Sequence, residues 1–200
     1  MTPLATSLAD DTALDLIFRT ARTYSHFLDR PVEEATLRTA YELARLGPTS
    51  ANCQPLRILF VRSREAKAKF EPALSAGNRA KSMAAPVTAI FAQDMAFYDQ
   101  LKTQFHDPEA RTWFAGKPQA IAETAMRNAT LQAAYFMLAC RALGLDCGPM
   151  SGFDKEMVDA AFFAGTNWKS NFICNIGYGN PAKLHPRNPR LDFDFACRIA

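Results

Sequence analysis

The run Gly47-Pro48-Thr49-Ser50-Ala51-Asn52-Cys53-Gln54-Pro55 lies between a helical pattern and an apolar stretch. Residues of these types add little to a core. They offer main-chain N–H groups, hydroxyls and carboxamides, which suit a polar ligand with many hydrogen-bonding edges. A helix C-cap accounts for Gly47 and Pro48, and residues 49–55 are either a ligand-contacting loop or an ordinary connection. Cys53 invites a nucleophilic reading, but His26, His106 and His185 show no pairing with it. The same histidines stand too far apart for metal-ligand spacing, so no metal is expected. Neither GxGxxG after a strand nor GxxxxGK[ST] occurs, and Gly177-Tyr178-Gly179 reads as a strand-ending turn.

Three further polar clusters remain. Arg22-Thr23 and Arg187-Asn188-Pro189-Arg190 carry guanidinium groups that can grip a phosphate through bidentate, charge-assisted bonds, or be solvated at the surface. Gly148-Pro149-Met150-Ser151-Gly152-Phe153-Asp154 joins a glycine-containing turn to an Asp-capped helix. That arrangement either frees N–H groups for a ligand or is an ordinary turn and cap.

The elements that must position these clusters follow from periodicity. A modest helical pattern covers residues 10–19, and Leu37, Ala40, Tyr41 and Ala44 mark a helix over 32–46 with Glu33 and Glu34 in its first turn. Apolar runs at 57–62, 87–92 and 172–178 predict strands, and helices are expected over 66–74 and 154–163. The strongest helix is 119–143. Ala122, Ala125, Ala129, Ala133, Phe136, Cys140 and Leu143 trace its apolar stripe, and its second half is apolar nearly all round, which implies burial on more than one side. Residues 104–117 lack periodicity and are expected to form a functional lid. The order of elements predicts an α+β or mixed α/β fold, with residues 1–200 as one domain.

A net charge of +3 without a basic, aromatic-interleaved stretch argues against nucleic acid. No run has membrane-spanning length, and no secretory signal is expected from residues 1–14. The five cysteines form no CxxC pair and read as buried or partly buried thiols, so a cytoplasmic protein is expected.

Taken in order, the clusters resemble the FMN-dependent nitroreductase family over nearly the whole chain. The match runs through Arg22-Thr23, Phe27-Leu28-Asp29-Arg30-Pro31-Val32 and residues 48–55. It continues through a Gly77-Asn78 turn, the strand after Pro86, the long helix and Pro149-Met150-Ser151-Gly152-Phe153-Asp154. Together with Lys169-Ser170-Asn171, the motifs are most similar to the branch containing the malonic semialdehyde reductases of the Rut pyrimidine-degradation pathway.

The resemblance implies an α+β, nitroreductase-like mixed sheet flanked by helices. It also implies a long buried central helix and an intertwined homodimer with FMN at the subunit interface. Arg22 and Thr23 match the N-terminal flavin-binding motif, and Arg187 and Arg190 the C-terminal phosphate contacts. Pro48, Thr49, Ser50 and Asn52 match a loop along the flavin, often supplied by the partner subunit. Asn78 and Lys81 match positions at the pyrimidine end of the ring, and Ser151 and Gly152 the turn whose N–H bonds flavin N5. Ala21 departs from the family, which often has a second basic residue there.

The implied activity is ping-pong hydride transfer from NADH or NADPH through FMN to malonic semialdehyde, giving 3-hydroxypropanoate. No side chain is singled out as catalytic, because flavin N5 performs the chemistry. Arg111, beside Trp113 and Phe114, is the candidate anchor for a substrate carboxylate. The alternatives are a broad nitroreductase or quinone reductase, and a non-catalytic flavin-binding protein.

Overall fold

The computed structural model describes residues 8–200, and at its centre is a sheet buried on both faces. Strands β1 (Leu56–Val61), β2 (Val87–Asp94), β3 (Asp146–Met150) and β4 (Trp168–Gly177) pair in the order β1-β2-β4-β3. The α-helices are α1 (Asp11–Leu14), α2 (Glu34–Ala44), α3 (Arg64–Phe70), α4 (Ala76–Ala84), α5 (Leu101–Gln104), α6 (Pro118–Ala142), α7 (Lys155–Phe162) and α8 (Phe193–Ala196). Side chains alternate along β2, so Ala89 and Phe91 meet α2 and α6 while Ile90 and Ala92 meet α3 and α7. Burial on both faces explains why β2 reads as an unbroken apolar run.

On the first face Leu37, Ala40 and Ala44 of α2 pack with Ala129, Ala133, Phe136 and Cys140 of α6. Each large apolar side chain so buried contributes about 1.5–3 kcal/mol. The helix α6 opens with Pro118 at its first position and closes in a Schellman arrangement: Leu145 N–H donates to the Cys140 carbonyl at 2.9 Å and Gly144 N–H to Arg141 at 3.0 Å. On the second face Phe70, Leu74, Val158 and Phe163 cover Ile90 and Ile173. A buried polar chain pins α4 there: Thr88 Oγ1 donates to Asn175 Oδ1 at 2.7 Å, and Asn175 Nδ2 to Ser82 Oγ at 3.4 Å.

The α+β architecture stands, with differences in detail. Every pair of named strands is antiparallel, so the expected mixed sheet has its only parallel element, among the described residues, in the isolated Thr23·Cys147 bridge. The third strand in chain order, β3, was hidden in the sequence by Gly148-Pro149. It lies at the sheet edge, where a proline is tolerated because one side of the strand has no ladder to complete. The expected turn at Gly77-Asn78 is the first part of α4.

Residues 104–117, expected as a lid, are mostly exposed but anchored at two points. Ala110 and Phe114 are buried with Phe97, Leu101, Cys53 and Ala125 in a third cluster, through short 3-10 turns that carry no long periodicity. In the first half of α6 burial follows one stripe, with Met126 and Leu131 exposed, whereas in the second half, residues 133–143, only Ala134 and Ala142 are exposed and the rest are buried or half-buried. Four cysteines are buried and Cys197 is exposed.

Candidate functional site

Two straps meet at the β3 edge. Residues 23–27 cross it, with Tyr24 N–H donating to the Cys147 carbonyl at 3.1 Å and Leu28 N–H to Tyr178 at 2.7 Å. A Cβ on Gly148 would fall 2.2 Å from the Tyr24 carbonyl oxygen, so the close crossing requires glycine. The C-terminal chain runs beside this strap, and two arginines clasp the pair in both directions. Arg22 donates to the His185 carbonyl at 2.5 Å, and Arg187 donates to the carbonyls of Arg19 and Ala21 at 2.8 and 2.9 Å. Neither guanidinium has a carboxylate partner among the described residues, and each keeps further N–H donors. Arg190 bonds only carbonyls of its own segment, Asn188 and Pro189.

The end of β3 leads into the Ser151-Gly152 turn, which rests on the start of α4. The Gly152 carbonyl accepts from Ser75 N–H at 3.1 Å and from Asn78 Nδ2 at 2.9 Å. Phe153 bridges Leu74, and Asp154 caps α7 by accepting from Met157 N–H at 2.9 Å. Among the described residues the N–H groups of Ser151 and Gly152 have no protein acceptor. Lys81 follows Asn78 by one helical turn, on the same face of α4. Thus Arg22, Thr23 and Arg187 gather at one end of β3 and Ser151, Gly152 and Asn78 at the other, while Lys81 stands between, next to Ser82, which meets Asn175 opposite Gly148.

The loop of residues 47–55 belongs to the α6 face of the sheet, opposite α4. Ser50 N–H donates to Asn128 Oδ1 at 2.8 Å, Leu56 N–H to Gln132 Oε1 at 3.0 Å, and Tyr135 OH to the Pro48 carbonyl at 3.2 Å, all on α6. Ala51, Asn52 and Gln54 adopt φ values of 49°, 49° and 39°, in the left-handed region that non-glycine residues seldom enter. Such strain persists only where the surroundings over-determine it. Asn52 Nδ2 donates to the Gln104 carbonyl at 2.8 Å, and Gln54 N–H to Thr49 Oγ1 at 3.3 Å. At the loop's end Arg57 pairs with the partly buried Asp94 at 2.7 Å.

Asn128 and Gln132 escaped the sequence reading. Their signal was two carboxamides four residues apart within an alanine-rich apolar stripe. Cys53 is 1% exposed, and burial pushes its thiol up to about 11, so it stays protonated and is no nucleophile. Arg111 Nε donates to Asp99 at 2.8 Å, so any substrate carboxylate at that position competes with Asp99. Trp113 lies nearby, half exposed and edge-on to Phe105.

Residues 18–178 match the Nitroreductase family. The chain belongs to the nitroreductase family. A relative from Burkholderia lata, provisionally named NADH dehydrogenase/NAD(P)H nitroreductase, is 57% identical over 189 residues, covering 94% of this chain and 97% of its own. A similarly named Stenotrophomonas maltophilia protein is 57% identical over 191 residues, with 96% and 97% covered. The fold of this nitroreductase is shared with an Exiguobacterium sibiricum nitroreductase crystallised with FMN. The TM-score is 0.83 at 20% identity, covering 97% of this chain and 99% of that one. Among the described residues of the nitroreductase no helix is long and apolar enough to cross a membrane.

Proposed function

We propose that this nitroreductase is an NAD(P)H-dependent FMN oxidoreductase with a broad range of acceptors, such as nitroaromatics and quinones. The observation that carries this reading is the pair of unengaged main-chain donors at Ser151 and Gly152, beside Asn78, with two unpaired arginines at the other end of the same strand. A flat, hydrogen-bonding ring with a phosphate tail fits that separation of neutral donors from cations. The names of the Burkholderia and Stenotrophomonas relatives and the FMN complex of the structural neighbour point the same way.

Bound FMN would supply hydride transfer, so the chain's tasks are to bind, orient and shield. Arg22 and Arg187, with Thr23, hold the phosphate, while Arg190 needs a change of course to reach it. The Ser151 and Gly152 N–H groups would serve the N5 side of the ring, and Asn78 and Lys81 its pyrimidine edge. Pro48, Thr49, Ser50 and Asn52 stand on the α6 face, across the sheet from Ser151, Gly152, Asn78 and Lys81, so they would reach a flavin only on a second copy of the chain. The exposed apolar side chains of the C-terminal arm support such an intertwined homodimer: Leu191 is 70% exposed, Phe193 60%, Phe195 80% and Ile199 90%. NADH and NADPH are both retained as co-substrates, and residues 1–200 as a single FMN-binding domain.

The narrower reading, reduction of malonic semialdehyde, rests on motif similarity, and its carboxylate anchor, Arg111, is held by Asp99. Purified enzyme should be yellow, bleach under NADH or NADPH without air, and regain colour with nitroaromatics or quinones. A colourless protein without affinity for FMN overturns the proposal, and a bound flavin that never reduces favours a binding protein. Reoxidation by 3-oxopropanoate in preference to nitroaromatics would restore the narrower substrate.

A further inference from the structure

A cleft of about 720 Å³ opens at the far end of α4 from Asn78. Its walls are the strap of residues 27–32, the β1-to-α3 junction and the end of α4. Arg30, Arg62 and Lys67 line it, against the single carboxylate of Asp29. None of the three cations is paired with a carboxylate among the described residues. Arg62 donates to the Val32 carbonyl at 2.8 Å, Lys67 to the carbonyls of Met83 and Ala85, and Arg30 stacks 3.6 Å over the Tyr178 ring. These bonds fix the cations in place and leave N–H donors unused on each. Burial pulls the Lys67 ammonium below its usual pKa, a cost that a bound anion offsets. Phe27 and Pro86 add an apolar wall.

We propose that this cleft is an anion site for a small phosphate-bearing molecule, separate from the flavin site. Fixed, uncompensated cations around a concave space favour a compact, multiply charged anion over chloride. The volume exceeds what inorganic phosphate needs, so an organic group on the phosphate would lie against Phe27 and Pro86. The test titrates FMN-saturated enzyme, whose flavin-phosphate site is already filled, with inorganic phosphate and separately with ribose 5-phosphate. Calorimetry at ionic strength held constant with chloride should show one saturable site. Arg62→Gln keeps a donor for the Val32 carbonyl and should weaken binding at least tenfold with flavin content unchanged, and Arg30→Gln should weaken it in the same direction. Tighter ribose 5-phosphate identifies an organic phosphate as the occupant, and equal affinities identify inorganic phosphate. No saturable heat, or affinities unmoved in both variants, overturns the site. Should the protein fail to bind FMN, the apoprotein serves, because loss of phosphate binding in Arg62→Gln reads this cleft alone.

Discussion

Asn78 Nδ2 donates to the Gly152 carbonyl at 2.9 Å, joining residues 74 positions apart. This bond closes the turn against α4 and leaves the Ser151 and Gly152 N–H groups facing outward. A Cβ on Gly152 would lie 2.6 Å from Asn78 Nδ2 and 2.7 Å from Ser75 Oγ, both ends of movable side chains. Gly152→Ala should therefore keep the fold, displace the amide, and weaken FMN binding while leaving the melting temperature of the apoprotein within a few degrees. Flavin fluorescence titration checks it, and unchanged affinity in both Gly152→Ala and Asn78→Ala would remove this turn from the flavin site.

The two C-terminal arginines should differ. Arg187 reaches the N-terminal strap and Arg190 does not. Arg187→Ala should weaken FMN binding by roughly tenfold or more, the scale of one charge-assisted contact, and Arg190→Ala by much less. Equal losses would mean that the C-terminal chain is rearranged when flavin binds.

Gln132 is buried and accepts from the buried Leu56 N–H at 3.0 Å. Gln132→Ala strands that donor and should cost about 1–3 kcal/mol in urea unfolding. Met126→Ala, on the exposed side of α6, is the control. A matching loss in both would show that the effect comes from the helix and not from the loop anchor.

Burial raises the Asp146 carboxyl above the usual carboxylate pKa, with Gly179 N–H, at 2.8 Å, acting the other way. The folded chain then holds this proton to higher pH than the unfolded chain. Its contribution to stability is therefore greatest at low pH and falls as pH rises through the raised value. Asp146→Asn keeps an acceptor for Gly179 and removes the titration, so the variant should gain on the wild type between about pH 4 and about pH 7. Urea midpoints at the two pH values measure this, and a constant difference would contradict it.

The C-terminal arm should be needed for assembly. Deleting residues 191–200 removes Leu191, Phe193, Phe195 and Ile199, all exposed within one chain. The proposed dimer should dissociate in sedimentation velocity and flavin affinity should fall. A truncated protein that sediments and binds FMN like the full chain would exclude the arm from the interface.

Much of the scaffold was legible locally. The stripe on α6, the apolar run of β2 and the Asp154 cap are signals that a few neighbouring residues carry, and each was read to within two residues at most of its boundaries. β3 and α4 were not, because Gly148-Pro149 and Gly77-Asn78 carry turn propensities that pairing with β4 and packing on Asn175 override. The short turns of 97–113 were unreadable for another reason: their burial in a third cluster has no period longer than one turn.

From its order of motifs the chain announced its family, its polar clusters and its lack of a nucleophilic pair, since those depend on residue type and succession. The tertiary structure sorted the clusters into groups. It set Arg187 against Ala21, Asn78 against Gly152 and Ser50 against Asn128, and it placed the second group across the sheet from the third, with the first at the β3 edge beside the end of α6. Those partners are 74 to 166 residues apart. Such contacts form only when segments far apart in sequence are packed around the sheet, and no window of sequence holds both partners.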